Sequence, residues 1–514
     1  MNMDTTFLAL PNGAAAPIAD LPVLPFDDFR AQLIQAVMQD GLRVSSFFAT
    51  PADNQPGDFE LIAVLADDRA HLLRLAASRV SKSYLALSAD CPAFHWFERE
   101  IAEVTGLVCE NHPWPKPIRF TRPPVGKGAD VLPGVTDYLR IADEAAHEVA
   151  VGPVHAGVIE PGHFRFQCLG EEVIFLEISL GYQHRGIEKM LVGGPDVRSA
   201  QLIECAAGDT SIASAWCYAR LLAALSPACQ ASPAAELWRG IALEFERSAN
   251  HTGDLGALAG DVAFLPTQSF CGRIRGEYLN MTAALCGNRF GRGYVLPGGL
   301  RYLADNKKVA DLQAWRKRVH ADLTNALDLL FDTPSVLDRF ENTGVLAPAD
   351  AAAVGIVGVA GRASGLNNDI RLSHPYGPYT DRPLSLCAEG AGDVLARAMV
   401  RRRELDASNQ WLNEALNAAT ELSADEQTSA LSSQHSPARA LAPSMIAVSL
   451  QEAWRGELCH VALTDSHGRF RHYKIVDPSF HNWYGLALTL RGEQISHFPI
   501  CNKSFNLSYC GHDL

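Results

Sequence analysis

The chain has 514 residues, of which 47% are hydrophobic and 20% charged. That balance predicts a globular protein of more than one domain with a large core. A formal net charge of −14 argues against nonspecific nucleic-acid binding, because no general positive field is present to release counterions.

The start Met1-Asn2-Met3-Asp4 lacks the basic region and apolar run of a secretory signal. The most apolar run, residues 351–361, is too short and glycine-rich to cross a bilayer, which takes roughly 20 residues. A soluble, cytoplasmic chain able to dock on membrane proteins is therefore expected. Twelve cysteines are scattered with no C-x-x-C pair among them, which speaks against zinc ribbons, ferredoxin-type clusters and thioredoxin-like sites. They read as buried free thiols.

Residues 1–25 are apolar and proline-rich without a period, and read as a loosely ordered arm. Residues 26–121 carry a compact α/β pattern. A helix is expected over 29–39, with Phe29, Leu33, Ile34 and Val37 on one face, then a strand over 60–65 and a helix over 71–80. A strand around 84–87 and a helix over 93–104 complete it. The stretch Arg122-Pro123-Pro124-Val125-Gly126-Lys127-Gly128 opens a linker over 122–147.

In the remainder, 148–514, residues 164–168 and 173–178 bracket Gly170-Glu171-Glu172 as a β-hairpin. Ile241, Phe245, Ala249, Thr252, Leu255, Ala259 and Val262 recur at three- and four-residue steps. So do Leu312, Trp315, Val319, Leu323, Ala326 and Leu330, and both sets mark amphipathic helices. The polar segment 423–439 reads as an exposed loop. Residues 458–464 and 470–476 flank Asp465-Ser466-His467-Gly468 as a second hairpin. The expected class is α+β: a small α/β domain followed by a large α-rich domain with β-hairpins at its edges.

Several segments resemble known families. Trp96-Phe97-Glu98-Arg99-Glu100-Ile101, ending at Gly106 and followed by His112-Pro113, is similar to the signature of the C-type peripheral component of NADH:quinone oxidoreductase (complex I), with Asn111 where that family usually has glycine. Read without the family, it is an amphipathic helix with a charged face. Gly152-Pro153-Val154-His155, Glu160-Pro161-Gly162-His163 and Gly181-Tyr182-Gln183-His184-Arg185-Gly186-Ile187-Glu188-Lys189 open a second match. Glu246-Arg247-Ser248-Ala249-Asn250-His251, Gly361-Arg362-Ala363-Ser364-Gly365, Arg455-Gly456-Glu457 and Pro478-Ser479-Phe480-His481 continue it. In this order and spacing they resemble the large subunit of group 4 membrane-bound [NiFe] hydrogenases of the formate-hydrogenlyase type and, more loosely, the D-type peripheral component of complex I. The C-type and D-type components also occur fused as one chain in this superfamily.

The resemblance contains a gap. Where the family's two C-x-x-C metal pairs fall, this chain reads Ala207-Gly208-Asp209-Thr210 and Ser508-Tyr509-Cys510-Gly511. Thiolates hold such a soft-metal site; Ala207 and Gly511 cannot ligate through a side chain, and Thr210 and Ser508 offer only hard oxygens. Cys205 and Cys510 lie near but out of register. Nickel–iron is therefore not expected. The chain also stops three residues after Gly511, as the D-type component of complex I does, which argues against nickel-dependent maturation.

What remains could serve other chemistry. His155 and His163, at a turn beside a cavity, can donate to a quinone carbonyl or pass protons, or are ordinary hairpin histidines. Arg362 could present charge at a cleft or make a structural pair with Asp369. Glu188 could move protons or pair with Arg185. The resemblance assigns His155, His163, Glu188, Arg362 and Asp369 as catalytic candidates. Gly208, Tyr218 and Arg371 are cofactor-binding candidates around a vestigial cavity of Ala207, Thr210, Ser508 and Gly511, with no metal ligand assigned. It implies a core subunit of a complex I-like or hydrogenase-like oxidoreductase, peripheral on the inner face of the cell membrane. Its partners would be a small subunit carrying an iron–sulfur cluster and antiporter-like membrane subunits, with a quinone as candidate oxidant and no cofactor assigned firmly to this chain. The rivals are a non-catalytic coupling subunit and a hydrogenase with altered ligands.

Overall fold

The computed structural model describes residues 6–52, 57–121, 132–157, 159–432 and 441–514. The fold is mixed α and β, with helices and several small, largely antiparallel sheets. The expected linker motif at 122–128 lies outside the described residues, as does 433–439 of the expected polar loop. Before that gap, Ala424–Ser429 forms a short helix closed by a capping box between Ser423 and Glu426, so this stretch is not all loop.

The first sheet has the order Leu8–Leu10, Leu72–Val80, Phe59–Asp67, Arg43–Pro51, with Val23–Leu24 pairing in parallel with Leu72–Val80. Helices Phe26–Met38 and His95–Thr105 pack against it. The second ends at Gly106, whose φ of 80° is the left-handed turn that glycine adopts without strain.

Two expectations fail here. Residues 72–80 form a central strand rather than a helix. Leu73, Arg74, Leu75, Ala76, Ala77 and Ser78 are all buried, and a strand covered on both faces loses the period of two that would have identified it. The described part of the N-terminal arm, 6–25, also carries strands. Leu8–Leu10 edges the first sheet, while Ala14–Pro17 pairs with Met445–Ala453, in the register Ile446↔Ala16, as the edge of a four-stranded sheet far along the chain. Long-range pairing of this kind leaves no local signal.

The remaining strands of that sheet are Gly456–Thr464 and Phe470–Val476, the expected hairpin. A three-stranded sheet joins Ala146–Val151, which begins inside the expected linker, to the hairpin His163–Leu169 and Glu172–Ser179. Four long helices, Pro233–Asp261, Leu265–Cys286, Asn306–Phe331 and Val394–Glu421, pack on one another. Side-chain caps start three of them: Ser232 accepts from the Ala235 amide, Asp305 from Lys308 and Asp393 from Ala396.

The first sheet and the rest share one continuous apolar core. Polar contacts also cross the seam. Arg43 bonds Asp68 on its own sheet and Glu457 opposite, His374 reaches Asp68 at 3.0 Å, and Lys474 reaches Glu100 at 2.6 Å.

Candidate functional site: a cleft without thiolate pairs and the ion cluster behind it

The loop 205–210 joins helices Ser199–Glu204 and Ser211–Leu225, and the terminal segment 508–514 folds against it. Arg185 fastens the two. Its guanidinium donates to the carbonyls of Cys205 at 2.5 Å and Ala206 at 2.9 Å, and to that of Cys510 at 2.8 Å. Arg185 does not pair with Glu188, which instead accepts from Lys474 Nζ at 3.0 Å and the Ile475 amide at 2.9 Å.

Asp209 is held by Arg455 through both carboxylate oxygens, at 2.8 and 2.9 Å. The Asp209 carbonyl accepts from Trp454 Nε1 and Asn250 Nδ2, and the Arg455 guanidinium lies 3.8 Å over the Trp454 ring. Ser508 caps the last short helix by accepting from the Gly511 amide at 2.9 Å. The Cys510 amide bonds Glu160 at 3.3 Å, and its Sγ lies 3.4 Å from Ser508 Oγ. Burial, with Glu160 beside it, pushes the Cys510 thiol up to about 11. A side chain at Gly511 would place its Cβ 2.6 Å from the buried Asp477 carboxyl.

These contacts test whether a nickel–iron centre fits. The positions that the resemblance would assign to ligands, Ala207, Thr210, Ser508 and Gly511, offer a methyl group, two hydroxyls and a glycine already abutted by Asp477. The nearby Cys510 thiol is held protonated and Cys205 is exposed on the loop. Among the described residues no group of three or more His, Cys, Asp or Glu has metal-binding geometry. The residues present do not fit a four-thiolate centre.

The two hairpin histidines lie beside this cleft. His155 Nε2 bonds the Gly162 carbonyl at 2.9 Å and His163 Nδ1 bonds the Gly152 carbonyl at 3.3 Å. The same hairpin supplies Glu160 to Cys510, and Gly162 lies against the Tyr509 ring. Burial lowers the His163 pKa, so its ring is neutral and able to donate and accept. Gly208 lies in the cleft loop, but Tyr218 is buried further along the helix, lining a pocket with Glu204 and Leu222.

Arg362, Asp369 and Arg371 form a different site. Arg362 is fully buried and binds Glu404 together with Glu452, the latter at 2.9 Å, while Asp369 lies at 3.9 Å. The expected simple pair with Asp369 is therefore replaced by a network. Arg371 takes Asp369 at 2.6 Å and Glu244 at 3.1 Å. Arg247 and His251 both bind Glu404. The Tyr379 and Ser408 hydroxyls complete Glu244, at 2.6 and 2.5 Å. The helix Pro233–Asp261 links this cluster to the cleft, with His251 at one and Asn250 at the other. On that helix Glu246 accepts from the amides of Ile212 and Ala213, and burial lifts its carboxyl to about 8.

Sequence reasoning missed Asp209, Asp477, Glu404 and Glu452 as members of these sites. Asp209 had a signal, since it stands inside the altered metal loop. Glu404 and Glu452 had none, because their partners are 42 and 90 residues from them in the chain.

Residues 261–513 match the family described as the respiratory-chain NADH dehydrogenase 49 kDa subunit. That match spans just under half of the chain. It is 29% identical over 367 residues to the carbon monoxide-induced hydrogenase of Rhodospirillum rubrum, covering 70% of this chain and 98% of that one. To formate hydrogenlyase subunit 5 of Escherichia coli it is 25% identical over 461 residues, covering 85% and 78%. To NADH-quinone oxidoreductase subunit 4 of Thermus thermophilus it is 26% identical over 368 residues, covering 67% and 88%. Among solved structures, a chain of the membrane-bound sulfane sulfur reductase, an archaeal respiratory membrane complex, superposes with a TM-score of 0.64 at 20% identity. The match covers 73% of this chain and all of that one, and establishes the shared fold.

Proposed function

We propose that this chain is the large peripheral subunit of a multisubunit, membrane-associated oxidoreductase related to complex I and the group 4 hydrogenases, and that it works without nickel. Its relatives are subunits of hydrogenases and NADH-quinone oxidoreductases. No helix among the described residues is long and apolar enough to cross a membrane, so attachment to the inner face of the cell membrane would go through antiporter-like partner subunits. A small iron–sulfur subunit would exchange electrons at the cleft, and a quinone or another small oxidant would bind there.

The observation that carries this reading is the convergence of the loop at Asp209 and the segment at Cys510 on Arg185 and Arg455, with the His155/His163 hairpin alongside. The cleft keeps imidazoles and charged groups where metal ligands are lacking, which suits proton-coupled chemistry. The test is nickel and iron analysis of the complex purified anaerobically from its native host, followed by a quinone-reduction assay. Iron at cluster stoichiometry without nickel, and activity lost on His163→Ala, are expected; stoichiometric nickel overturns the reading.

One observation favours a second reading. Protein contacts close the cleft tightly at Gly511 and Arg185, as a purely coupling subunit would allow. Unchanged electron transfer in His155→Ala, His163→Ala and Asp209→Asn would select it.

A further inference from the structure

The buried cluster behind the cleft is unequal in charge. Four carboxylates, Glu244, Asp369, Glu404 and Glu452, face three guanidiniums, Arg247, Arg362 and Arg371. All seven are buried, between 0 and 4% exposed. An unpaired charge at such depth is costly, and the usual relief is a proton. His251 is the first alternative carrier, but burial drives its pKa down and its Nδ1 has no partner.

The donors are distributed unevenly. Glu404 accepts from Arg247, Arg362 and His251. Glu244 accepts from Arg371, Tyr379 and Ser408. Asp369 takes both the side chain and the amide of Arg371. Glu452 receives only Arg362 at 2.9 Å and the Ile370 amide at 3.1 Å. It also stands directly opposite Glu457 in the strand pair, where like charges repel. Asn368, whose carbonyl shares Nη1 of Arg362 with Glu452, carries a buried Oδ1 that lacks a donor.

We propose that Glu452 holds a bound proton in the folded protein, the exchangeable proton of the cluster behind the cleft. Burial and the Asp369 charge lift its carboxyl to about 7 against Arg362, in agreement with the count of charges and donors. The groups facing it are Arg362 and, around that, Arg247, Asp369, Arg371, Glu404 and Glu457, with Tyr376 receiving its amide. Glu452 and Arg455 share one hairpin turn, the first in the cluster and the second in the cleft. Use of this proton in redox chemistry rests on the proposed function; its presence does not.

The sign follows from proton linkage. A carboxyl raised in the folded state binds a proton that the unfolded chain has lost, so its stabilising contribution is full below the ordinary glutamate range and is lost as pH rises through 7. Glu452→Gln copies the protonated form. In the full chain, its advantage in melting temperature over the unaltered protein should be least at pH 4.5, grow as pH rises to about 7 and stay level from there to pH 8. Glu404→Gln, which unbalances an ionised hub, should lower the melting temperature throughout. The infrared spectrum at pH 6 should lose one protonated-carboxyl band in Glu452→Gln. A Glu452→Gln protein that fails to fold, melts as low as Glu404→Gln, or keeps the band overturns the proposal. None of these readouts depends on redox activity, so they stand or fall separately from the functional reading.

Discussion

Asp209 and Arg455, 246 residues apart, form a two-pronged ion pair across the cleft, at 2.8 and 2.9 Å. The pair lies on the loop Ala207-Gly208-Asp209-Thr210, where the sequence resemblance puts the first metal pair. Burial alone would raise the Asp209 carboxyl, but Arg455 outweighs it and holds it below the ordinary range. Asp209→Asn keeps the volume and removes the charge. Because the Asp209 side chain is 33% exposed, the expected loss is about 2 kcal/mol at pH 7, between that of an open and a buried pair. A depressed carboxylate stabilises fully above its unfolded pKa and loses that as pH falls through its lower folded pKa, so the difference should begin to shrink below about pH 4 and narrow further with acid. Urea titrations at pH 7 and 3 measure it; a gap undiminished at the lower pH would discount the ion pair.

Gly511 faces Asp477 so closely that any side chain collides with it, at 2.6 Å from the carboxyl. Asp477 cannot swing away freely, since it caps the helix Pro478–Thr489 through the Ser479 amide at 2.8 Å. Gly511→Ala should cost about 1–3 kcal/mol by overpacking. Asp477→Ala in the same chain should recover part of that loss, although Asp477→Ala alone removes the cap. A double-mutant cycle from denaturant unfolding gives the coupling, and a value near zero would show that Asp477 does not fill this space. The same collision bears on any attempt to rebuild a cysteine here.

How much of this was legible in the sequence depended on range. The hairpins at 163–179 and 456–476 and the helices Pro233–Asp261 and Asn306–Phe331 declare themselves through local period and turn residues. The strand Leu72–Val80 did not, because both of its faces are covered and its apolar residues therefore do not alternate. The cleft could be located because ordered motifs framed a recognisable absence at Ala207 and Gly511. The ion cluster was half visible: Arg362, Asp369 and Arg371 stood out in one short segment. Their counter-charges Glu404 and Glu452 come from a helix and a strand that only the fold brings together. The clasp of Arg43 on Glu457 joins the first sheet to the rest in the same way.

His481 sits 4% exposed at the seam between the first sheet and the large helical part, edge-on to Phe97 with ring centroids 5.5 Å apart. Burial drives its pKa down to about 4, with Glu457 opposing and Arg43 adding to the fall. The folded protein therefore refuses a proton that the unfolded chain accepts below about 6.5. For a base depressed on folding, the unfolded state binds more protons, so stability drops as pH falls from 6.5 towards 4 and levels off beneath. A shift of that size corresponds to about 3 kcal/mol at pH 4 from this one residue. His481→Phe preserves the edge-on ring contact and sacrifices no hydrogen bond at Nε2, which has no partner. The variant should match the unaltered protein at pH 7.5 and be the more stable at pH 4.5, measured as denaturant midpoints. If both lose stability in parallel across that interval, acid sensitivity arises elsewhere than at this seam.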